Sequence, residues 1–277
     1  MNDHLSKAQQ IILDIFSTVY RYLTDHGIEY YMLGGTLLGA IRHKGFIPWD
    51  DDIDIGIPRG QYEAFLDGIA KELPAHLRVE TYKTNPEHHY YFSRIVDTRY
   101  QVIREGSETE RAENVWVDIF PLDGMPNNPV LRKLHEFHVL YTRMRYHIAT
   151  FDKLNLKRPG RKLFDRMIIR AIQITGFGRN ADMYEWLEKF DRLVKKYPVE
   201  KSDYVVNTMG QYKFKEMFPK TWYGKGTLYP FEEYMLPGPE EYDLVLTRMY
   251  GDYMTPPKDA DKNVHASHMR IAEEHEA

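Results

Sequence analysis

The sequence predicts an α+β protein in which a sheet flanked by helices carries a mostly helical insertion. Three observations predict this fold. Apolar residues recur at helical spacing near the N-terminus, and short β-rich segments separated by turn formers follow up to about residue 128. From residue 129 the pattern becomes helical and basic, and the last third returns to aromatic sequence interrupted by Pro and Gly. We therefore expect a single domain over 1–277, with a core of about 1–128 completed by about 200–277 and a basic helical insertion over about 129–199.

The first elements follow from local pattern and turn chemistry. Apolar spacing predicts a helix over 6–25, a strand over 30–33 and a strand within "DIDIGI". Between the two strands, Thr36 is expected to cap a short helix that ends at Arg42. The remaining predictions are a helix at 62–70, strands at 78–82, 91–96, 101–103 and 114–120, helices at 130–150, 161–175 and 182–196, and a helix from Tyr242 that Gly251 ends.

Composition excludes several classes of protein. With 43% hydrophobic and 28% charged residues, wholesale disorder is not expected. The chain has no cysteine, which excludes disulfides, thiolate metal sites and a Cys nucleophile and suits a reducing compartment. We find no signal-peptide pattern at the N-terminus and no uncharged apolar run of membrane-spanning length. The expected location is cytoplasmic, with peripheral attachment to the inner face of the membrane as an open alternative.

The stretch "FIPWDDDIDIGIP", residues 46–58, places four carboxylates beside residues that favour burial. On a strand, Asp52 and Asp54 would point the same way, about 7 Å apart, and would repel each other unless a cation lay between them. Mg²⁺ (or Mn²⁺) suits such a pair, because it takes one or two carboxylates and shares its shell with phosphate oxygens. An EF-hand loop is rejected, since Ile55 stands where that loop needs Gly. Direct roles for Asp50 and Asp51 stay open.

The preceding stretch "LGGTLLGAIRHKG" has features of a phosphate site. Gly34 and Gly35 allow close backbone approach to a ligand, and Thr36 opens a helix whose N–H groups favour anions. The end of the same helix carries Arg42, His43 and Lys44, which are candidates for neutralising phosphate charge. A solvated helix end is the alternative for these three.

A third carboxylate comes from "NVWVDIFPLDG". Asp118 lies in a strand whose other residues are nearly all apolar, where a charge is costly unless it is paired or binds a metal. Asp123 precedes Gly124, and a turn explains it adequately. We therefore favour Asp52, Asp54 and Asp118 as the catalytic and metal-binding acids, with Asp118 as metal ligand or general base.

These motifs together resemble the LicD family of bacterial phosphocholine transferases, whose relatives include the fukutin-type sugar-phosphate transferases. The resemblance is specific over residues 33–57, good over 115–124 and suggestive in "YGDYMTPP" at 250–257. It implies a nucleotidyltransferase-like mixed sheet and a single catalytic domain. It also implies that the acids bind metal and that the Gly34–Thr36 turn binds nucleotide phosphate. No zinc is expected, because the chain lacks cysteine.

The resemblance also implies an activity. LicD-type enzymes transfer phosphocholine from CDP-choline to a sugar hydroxyl of a cell-surface glycan precursor, of the teichoic acid or lipopolysaccharide type, and release CMP. The expected partners are therefore a CDP-alcohol donor and a glycan or lipid-linked glycan acceptor, with no nucleic acid. A choline ammonium would need an aromatic cage. The candidates for this cage are Trp49, Tyr90, Tyr91, Trp222, Tyr223 and Tyr229.

Charge is distributed unevenly along the chain. Residues 129–179 contain 12 Lys or Arg and 3 Asp or Glu, a formal charge of +9, whereas the whole chain sums to −4. This asymmetry suggests contact with an anionic membrane surface or a lipid-linked acceptor. A solvated amphipathic helix packed on the core is the alternative.

Other functions remain open at this point. The same site could transfer ribitol or glycerol phosphate from another CDP-alcohol, or act as a nucleotidyltransferase that releases pyrophosphate. A glycosyltransferase also uses Asp-x-Asp with a metal, although the glycine turn and the late acidic strand argue against one. The non-enzymatic alternative is a module that binds anionic lipid or polyanions through the insertion. In such a module, substitution of Asp52 or Asp54 would leave partner binding intact.

Overall fold

The chain forms a mixed sheet flanked by helices, as the sequence predicts. In the computed structural model the described residues are 5–104, 112–150, 167, 170, 174–176, 181–257 and 269–273. The helices are α1 (Lys7–Asp25), α2 (Gly34–His43), α3 (Arg59–Glu72), α4 (Pro129–Ala149), α5 (Met183–Val194), α6 (Lys220–Tyr223) and α7 (Tyr242–Tyr250). The strands are β1 (Tyr31–Met32), β2 (Asp54–Pro58), β3 (Leu77–Glu80), β4 (Ser93–Arg104), β5 (Ala112–Gly124), β6 (Tyr204–Val206), β7 (Met217–Pro219), β8 (Thr227–Phe231), β9 (Tyr234–Gly238) and β10 (Met269–Glu273).

The sheet has the order β1-β2-β5-β4-β10. Strands β2 and β5 run parallel, and the other neighbouring pairs are antiparallel. Strand β3 pairs with the first half of β4, whereas β10 pairs with its second half. At the far end of β5, Asp123 and Gly124 continue the ladder into β6 and then β7. Strands β8 and β9 form a separate hairpin.

The core lies where α1 and α3 cover the central strands. Helix α1 begins at a capping box between Ser6 and Gln9, which satisfies backbone N–H groups that the first turn leaves open. Strand β2 is apolar at consecutive positions after Asp54, because its parallel pairing places it inside the sheet with both faces covered. This packing gives the acidic residues at the start of β2 a rigid support. Among the described residues, no helix has the length and apolarity needed to cross a bilayer.

Most predicted elements are confirmed, with differences that have physical causes. The strands expected at 91–96 and 101–103 are one strand, β4, whose pairing with β5 is irregular between Asp97 and Gln101. Strand β2 starts at Asp54, so the prediction that Asp52 lies on this strand is wrong. Most of the helix expected at 161–175 lies outside the described residues.

The C-terminal third contributes to both the sheet and the core. Strands β6 and β7 extend the sheet, and Val245 and Leu246 of α7 belong to the main hydrophobic cluster. So do Leu187 and Phe190 of α5. Helices of the expected insertion are therefore packed against the same core, and the proposed division into core and insertion stays a prediction.

Candidate active site

Helix α2 begins directly after β1 at two glycines that the backbone requires. Gly34 has a φ of 49°, a backbone conformation that residues other than glycine rarely adopt. At Gly35, a Cβ atom would lie 2.6 Å from Asp50 Oδ2, so the Asp50 carboxylate sits against the first turn of the helix. Leu33, at the N-cap, makes no side-chain cap hydrogen bond. The positive end of the helix dipole thus faces the acidic segment, where a phosphate would also be favoured.

Thr36 has a different role from the predicted one. It lies within α2 and is not its N-cap. Its Oγ1 accepts a hydrogen bond from the Asp54 N–H at 2.8 Å, and the Leu33 N–H donates to the Asp54 carbonyl at 3.0 Å. These bonds tie the start of α2 to the start of β2, so Thr36 positions Asp54 beside the glycine turn.

Asp54 and Asp118 are direct neighbours on parallel strands. Their Cα atoms are register partners in the β2–β5 ladder, and the Asp118 N–H donates to the Ile53 carbonyl at 3.0 Å. Adjacent strands lie about 4.8 Å apart, so two residues from distant parts of the sequence bring their carboxylates together at the start of β2. Asp52 joins them from the segment before β2.

Mutual repulsion and burial perturb these acids. Burial raises the pKa of Asp50 to about 6. Burial also raises the pKa of Asp52 and of Asp54 well above their ordinary value, and the neighbouring carboxylates raise both further. Arg94 opposes this effect at Asp54 without cancelling it. If all of these carboxylates were ionised, the cluster would hold more negative charge than the protein neutralises, and a bound cation would relieve that repulsion.

The carboxylates available as metal ligands suit a metal that completes its coordination shell with substrate oxygens. Within the described parts of the chain, no three carboxylate or imidazole side chains form a ready-made ligand group. Mg²⁺ commonly takes one or two protein carboxylates and fills the rest of its shell with phosphate oxygens and water. The uncompensated charge around Asp52 and Asp54 fits that mode of binding better than a closed structural site.

Arg94 holds Asp118 in place, and sequence reasoning missed it. Its Nε donates to Asp118 Oδ1 at 2.9 Å, and its Nη1 donates to Glu113 Oε2 at 3.1 Å. The guanidinium lies between the rings of Tyr90 and Trp116, at 4.3 and 4.0 Å from their centroids. An arginine within the apolar run of β4 was the available signal, because a buried cation needs an acidic partner.

A second group missed by sequence reasoning borders the glycine turn from the C-terminal third. Tyr250 reaches Gly34, where its hydroxyl would lie 3.8 Å from a Cβ atom, and its ring meets Tyr212 edge to face at 5.3 Å. Glu216 is buried, and burial raises its pKa to about 7. Together with Asn207, Glu216 lines a small cavity that reaches Gly34. Tyr250 belongs to "YGDYMTPP", which was the signal available for it.

The predicted phosphate-binding residues lie at the two ends of α2, with Gly34, Gly35 and Thr36 in its first turn. Arg42, His43 and Lys44 lie at the C-terminal end of α2, about 12 Å along the helix axis from Gly34. Arg42 Nη1 donates to the Tyr253 carbonyl at 2.7 Å. Lys44 Nζ donates to the Ile41 carbonyl at 3.2 Å. The phosphate role of these three residues stays a prediction.

Asp123 is not the turn residue that its sequence context suggests. It lies within β5, is buried, and accepts from Arg59 Nε at 2.7 Å. Arg59 in turn donates to the Tyr91 hydroxyl. The strand continues past Asp123 because β6 pairs with it there. Both acids are thus part of buried ion pairs, but that of Asp118 with Arg94 lies beside Asp54, whereas Asp123 pairs with Arg59.

The aromatic cage candidates are spread over the structure. Tyr90 stacks on Arg94 and so adjoins Asp118, whereas Tyr91 and Tyr223 are buried. Of the others, Trp49 packs edge-on against His43, Trp222 stacks on Phe218 and Tyr229 contacts Tyr242. Their role in binding a cation stays a prediction.

Comparison with known proteins agrees with this geometry. A sequence model of the LicD/FKTN/FKRP nucleotidyltransferase domain matches residues 27–161, which include α2, β2 and β5. The chain is 30% identical over 264 residues to the lipopolysaccharide cholinephosphotransferase LicD of Haemophilus influenzae, covering 94% of this chain and 95% of that protein. An uncharacterized protein of Rickettsia prowazekii is 48% identical over 46 residues, which is 17% of each chain.

A shorter match links the chain to a eukaryotic enzyme. The human ribitol 5-phosphate transferase FKRP is 58% identical over 31 residues, covering 11% of this chain and 6% of that protein. Two findings lead to the same assignment. The alignment with the Haemophilus protein covers nearly all of both chains, and the domain model matches the residues of the acidic site. The chain belongs to the LicD/FKTN/FKRP nucleotidyltransferase-domain family and is an enzyme of the phosphotransferase class.

Proposed function

We propose that this protein transfers phosphocholine from CDP-choline to a sugar hydroxyl of a cell-surface glycan precursor and releases CMP. The observation that carries the proposal is the pairing of Asp54 with Asp118 beside the Gly34–Gly35 start of α2. The full-length similarity to a lipopolysaccharide cholinephosphotransferase supports the choice of donor and the type of acceptor.

The chain's own residues suit each part of such a transfer. Backbone N–H groups at the start of α2 would bind and orient the donor diphosphate. The acceptor hydroxyl oxygen attacks the phosphorus that carries choline, and the bond from that phosphorus to the bridging oxygen breaks. The electron pair leaves with CMP, and Asp118 would accept the hydroxyl proton. Arg94, held between two rings, fixes the orientation of Asp118 for this step.

A divalent cation is part of the proposal. Asp52, Asp54 and Asp118 are the candidate ligands of Mg²⁺ (or Mn²⁺), of which one or two would hold the ion while substrate oxygens complete its shell. The ion when bound supplies positive charge for the diphosphate and the departing CMP. The raised pKa of Asp52 and of Asp54 supports this assignment, because the two carboxylates ionise together more readily beside a cation.

A different donor alcohol is the second candidate. The 31-residue match to a ribitol 5-phosphate transferase supports transfer of ribitol phosphate by the same mechanism. A glycan acceptor of the teichoic acid type would accompany that alternative. For either donor, we propose that the reaction takes place at the cytoplasmic side of the membrane.

Isothermal titration tests the proposal without knowledge of the acceptor. The protein would be titrated with CDP-choline, CDP-ribitol, CDP-glycerol and CTP, each with and without Mg²⁺. Metal-dependent binding that favours CDP-choline is the expected result. Preference for CDP-ribitol would replace the donor and keep the mechanism, preference for CTP would favour a nucleotidyltransferase, and no nucleotide binding with Mg²⁺ present would contradict the proposal.

The Asp54→Asn variant serves as the matched control in this titration. It removes one negative charge and keeps the backbone N–H that bonds to Thr36. We expect metal-dependent binding to be lost while the melting temperature is preserved or raised, because one source of repulsion in the cluster disappears. Unchanged metal-dependent binding by this variant would count against the assigned site.

A further inference from the structure

Helix α4 exposes a row of large apolar side chains along its whole length. We call this row the α4 outer face, and it consists of Val130, Leu134, Phe137, Leu140, Tyr141 and Met144. Their exposed fractions range from 38% to 67%. Spacings of three and four residues place them on one side of the helix, while Val139 and Tyr146 on the opposite side are buried in the core.

Such a row differs from ordinary surface hydrophobicity. Single exposed apolar residues are common, whereas a continuous apolar strip marks a surface that contacts something. Packing against the protein explains only one face of α4, because an amphipathic helix needs a single apolar stripe for that purpose. Among the residues that the structure describes, the α4 outer face is therefore more than the packing of α4 requires.

Basic and aromatic side chains lie beside this face. By helical spacing, Lys133 lies between Leu140 and Met144, and Arg145 lies just beyond Leu134. The Arg145 guanidinium lies 4.6 Å from the ring centroid of Trp186 on α5, and Lys189 Nζ lies 4.5 Å from the same ring. Tyr141 also meets Trp186, at 6.3 Å between ring centroids.

Among the described residues, the acidic side chains near the α4 outer face are in ion pairs. Glu136 is buried and pairs with Lys133 at 2.8 Å, and Glu185 pairs with Lys189 at 2.6 Å. Helix α4 itself carries four Lys or Arg residues and one Glu, a formal charge of +3, against −4 for the whole chain. A partner of negative charge would complement this surface, whereas a second copy of the same face would meet like charge.

We propose that the α4 outer face docks on an anionic lipid bilayer. Apolar side chains would enter the boundary between headgroups and acyl chains, while Lys and Arg remain at the headgroups. Trp and Tyr favour that boundary because their rings are apolar and their N–H or O–H stays hydrated. Anionic headgroups attract basic residues near the surface.

The position of α4 connects this surface with the candidate active site. Arg143 of α4 donates to the Thr208 and Gly210 carbonyls at 2.7 and 3.2 Å, in the segment that leads to Glu216. Docking through α4 would thus bring the active site close to the bilayer. This link to a lipid-linked acceptor rests on the proposed function, whereas the binding of lipid itself does not.

Vesicle co-sedimentation of the full chain tests the docking surface. The vesicles would contain either phosphatidylcholine alone or equal parts of phosphatidylcholine and phosphatidylglycerol. We expect preferential binding to the anionic vesicles. The Leu134→Gln, Phe137→Gln double variant should bind them on the order of thirtyfold more weakly, since two large side chains no longer enter the bilayer.

Matched controls distinguish vesicle binding by this surface from nonspecific binding through exposed apolar residues and from any effect of the active site. Leu228→Gln with Met235→Gln removes two similarly exposed apolar residues from the β8–β9 hairpin and should bind vesicles like wild type. Asp54→Asn should also bind vesicles like wild type, even though donor binding is lost. The α4 double variant should retain the wild-type melting temperature and CDP-choline titration.

Several outcomes would overturn the docking proposal. These are no binding of wild type to anionic vesicles, equal binding to neutral vesicles, or equal weakening by the hairpin control. A dimer in light scattering that the α4 double variant converts to monomer, without lipid binding by wild type, would instead identify an interface between copies. A failed donor titration with intact vesicle binding would contradict the proposed function and leave this surface assignment standing.

Discussion

Glu216→Gln is expected to stabilise the protein at alkaline pH and to lose that advantage on acidification. Burial raises the pKa of Glu216 from its ordinary value of 4.5 to about 7. The folded state therefore binds the proton more tightly than the unfolded state does, and stability falls as pH rises from about 4.5 through about 7. At ~1.36 kcal/mol per pH unit, the accumulated loss is about 3 kcal/mol once the folded group is ionised.

The glutamine variant avoids this cost and keeps the principal hydrogen bond. Glu216 Oε1 accepts from the Tyr212 N–H at 2.8 Å, and a glutamine oxygen accepts the same bond. We therefore expect the free energy of unfolding of Glu216→Gln to exceed that of wild type by about 3 kcal/mol near pH 8. Near pH 5 the difference should shrink to about 1 kcal/mol, because wild type is then largely protonated.

Urea denaturation at both pH values, followed by circular dichroism, measures the difference. Glu232→Gln is the matched control, since Glu232 Oε1 also accepts a backbone N–H, from Phe46 at 3.0 Å, outside the cluster around Asp54. A gain for Glu216→Gln that is equal at both pH values, or a loss at pH 8, would refute the reasoning.

Three further predictions concern the acids and their supports. Asp54→Asn should reduce turnover by at least ~10²-fold in a coupled assay for CMP, with a wild-type circular dichroism spectrum, because charge stabilisation at the transferring phosphoryl group is lost. Gly35→Ala should weaken donor binding in calorimetry, since its Cβ would meet Asp50 Oδ2 at 2.6 Å, whereas Gly60→Ala, with an equal approach to Glu200 Oε1 outside the site, should not. Arg94→Lys should lower the free energy of unfolding by about 2 kcal/mol, because a buried charged hydrogen bond and its stacking are lost. Arg99→Lys, where a half-exposed arginine pairs with the buried Asp97, should cost less than Arg94→Lys in the same denaturation experiment, because solvent screens the Arg99 charge.

Local sequence pattern predicted those features that depend on neighbouring residues. The helical spacing of α1, the glycine start of α2 and the apolar run of β2 are all encoded within about twenty residues, so they could be inferred without the structure. The same holds for the acidic candidates, because a carboxylate within a buried strand is unusual wherever that strand lies. Asp118 was favoured over Asp123 on that basis. The structure pairs Asp123 with Arg59 and Asp118 with Arg94, and the catalytic role of Asp118 stays a prediction.

Features set by register and distant contacts could not be inferred. Arg94 meets Asp118 because β4 runs antiparallel to β5 in one particular register. Glu216 and Tyr250 reach the glycine turn from more than 150 residues away in the sequence. The β8–β9 hairpin was missed because Pro230 and Pro237 argue against strands, and both are tolerated where the ladder has only two strands.

Product analysis tests the central claim most directly. The protein would be incubated with CDP-choline, Mg²⁺ and a panel of oligosaccharides, with water as the default acceptor, and the nucleotide products would be separated by chromatography. The account predicts that wild type releases CMP and that Asp54→Asn and Asp118→Asn do not, although both variants fold. CMP release that is unaffected by either substitution, or the absence of CMP from wild type across all CDP-alcohols tested, would contradict it.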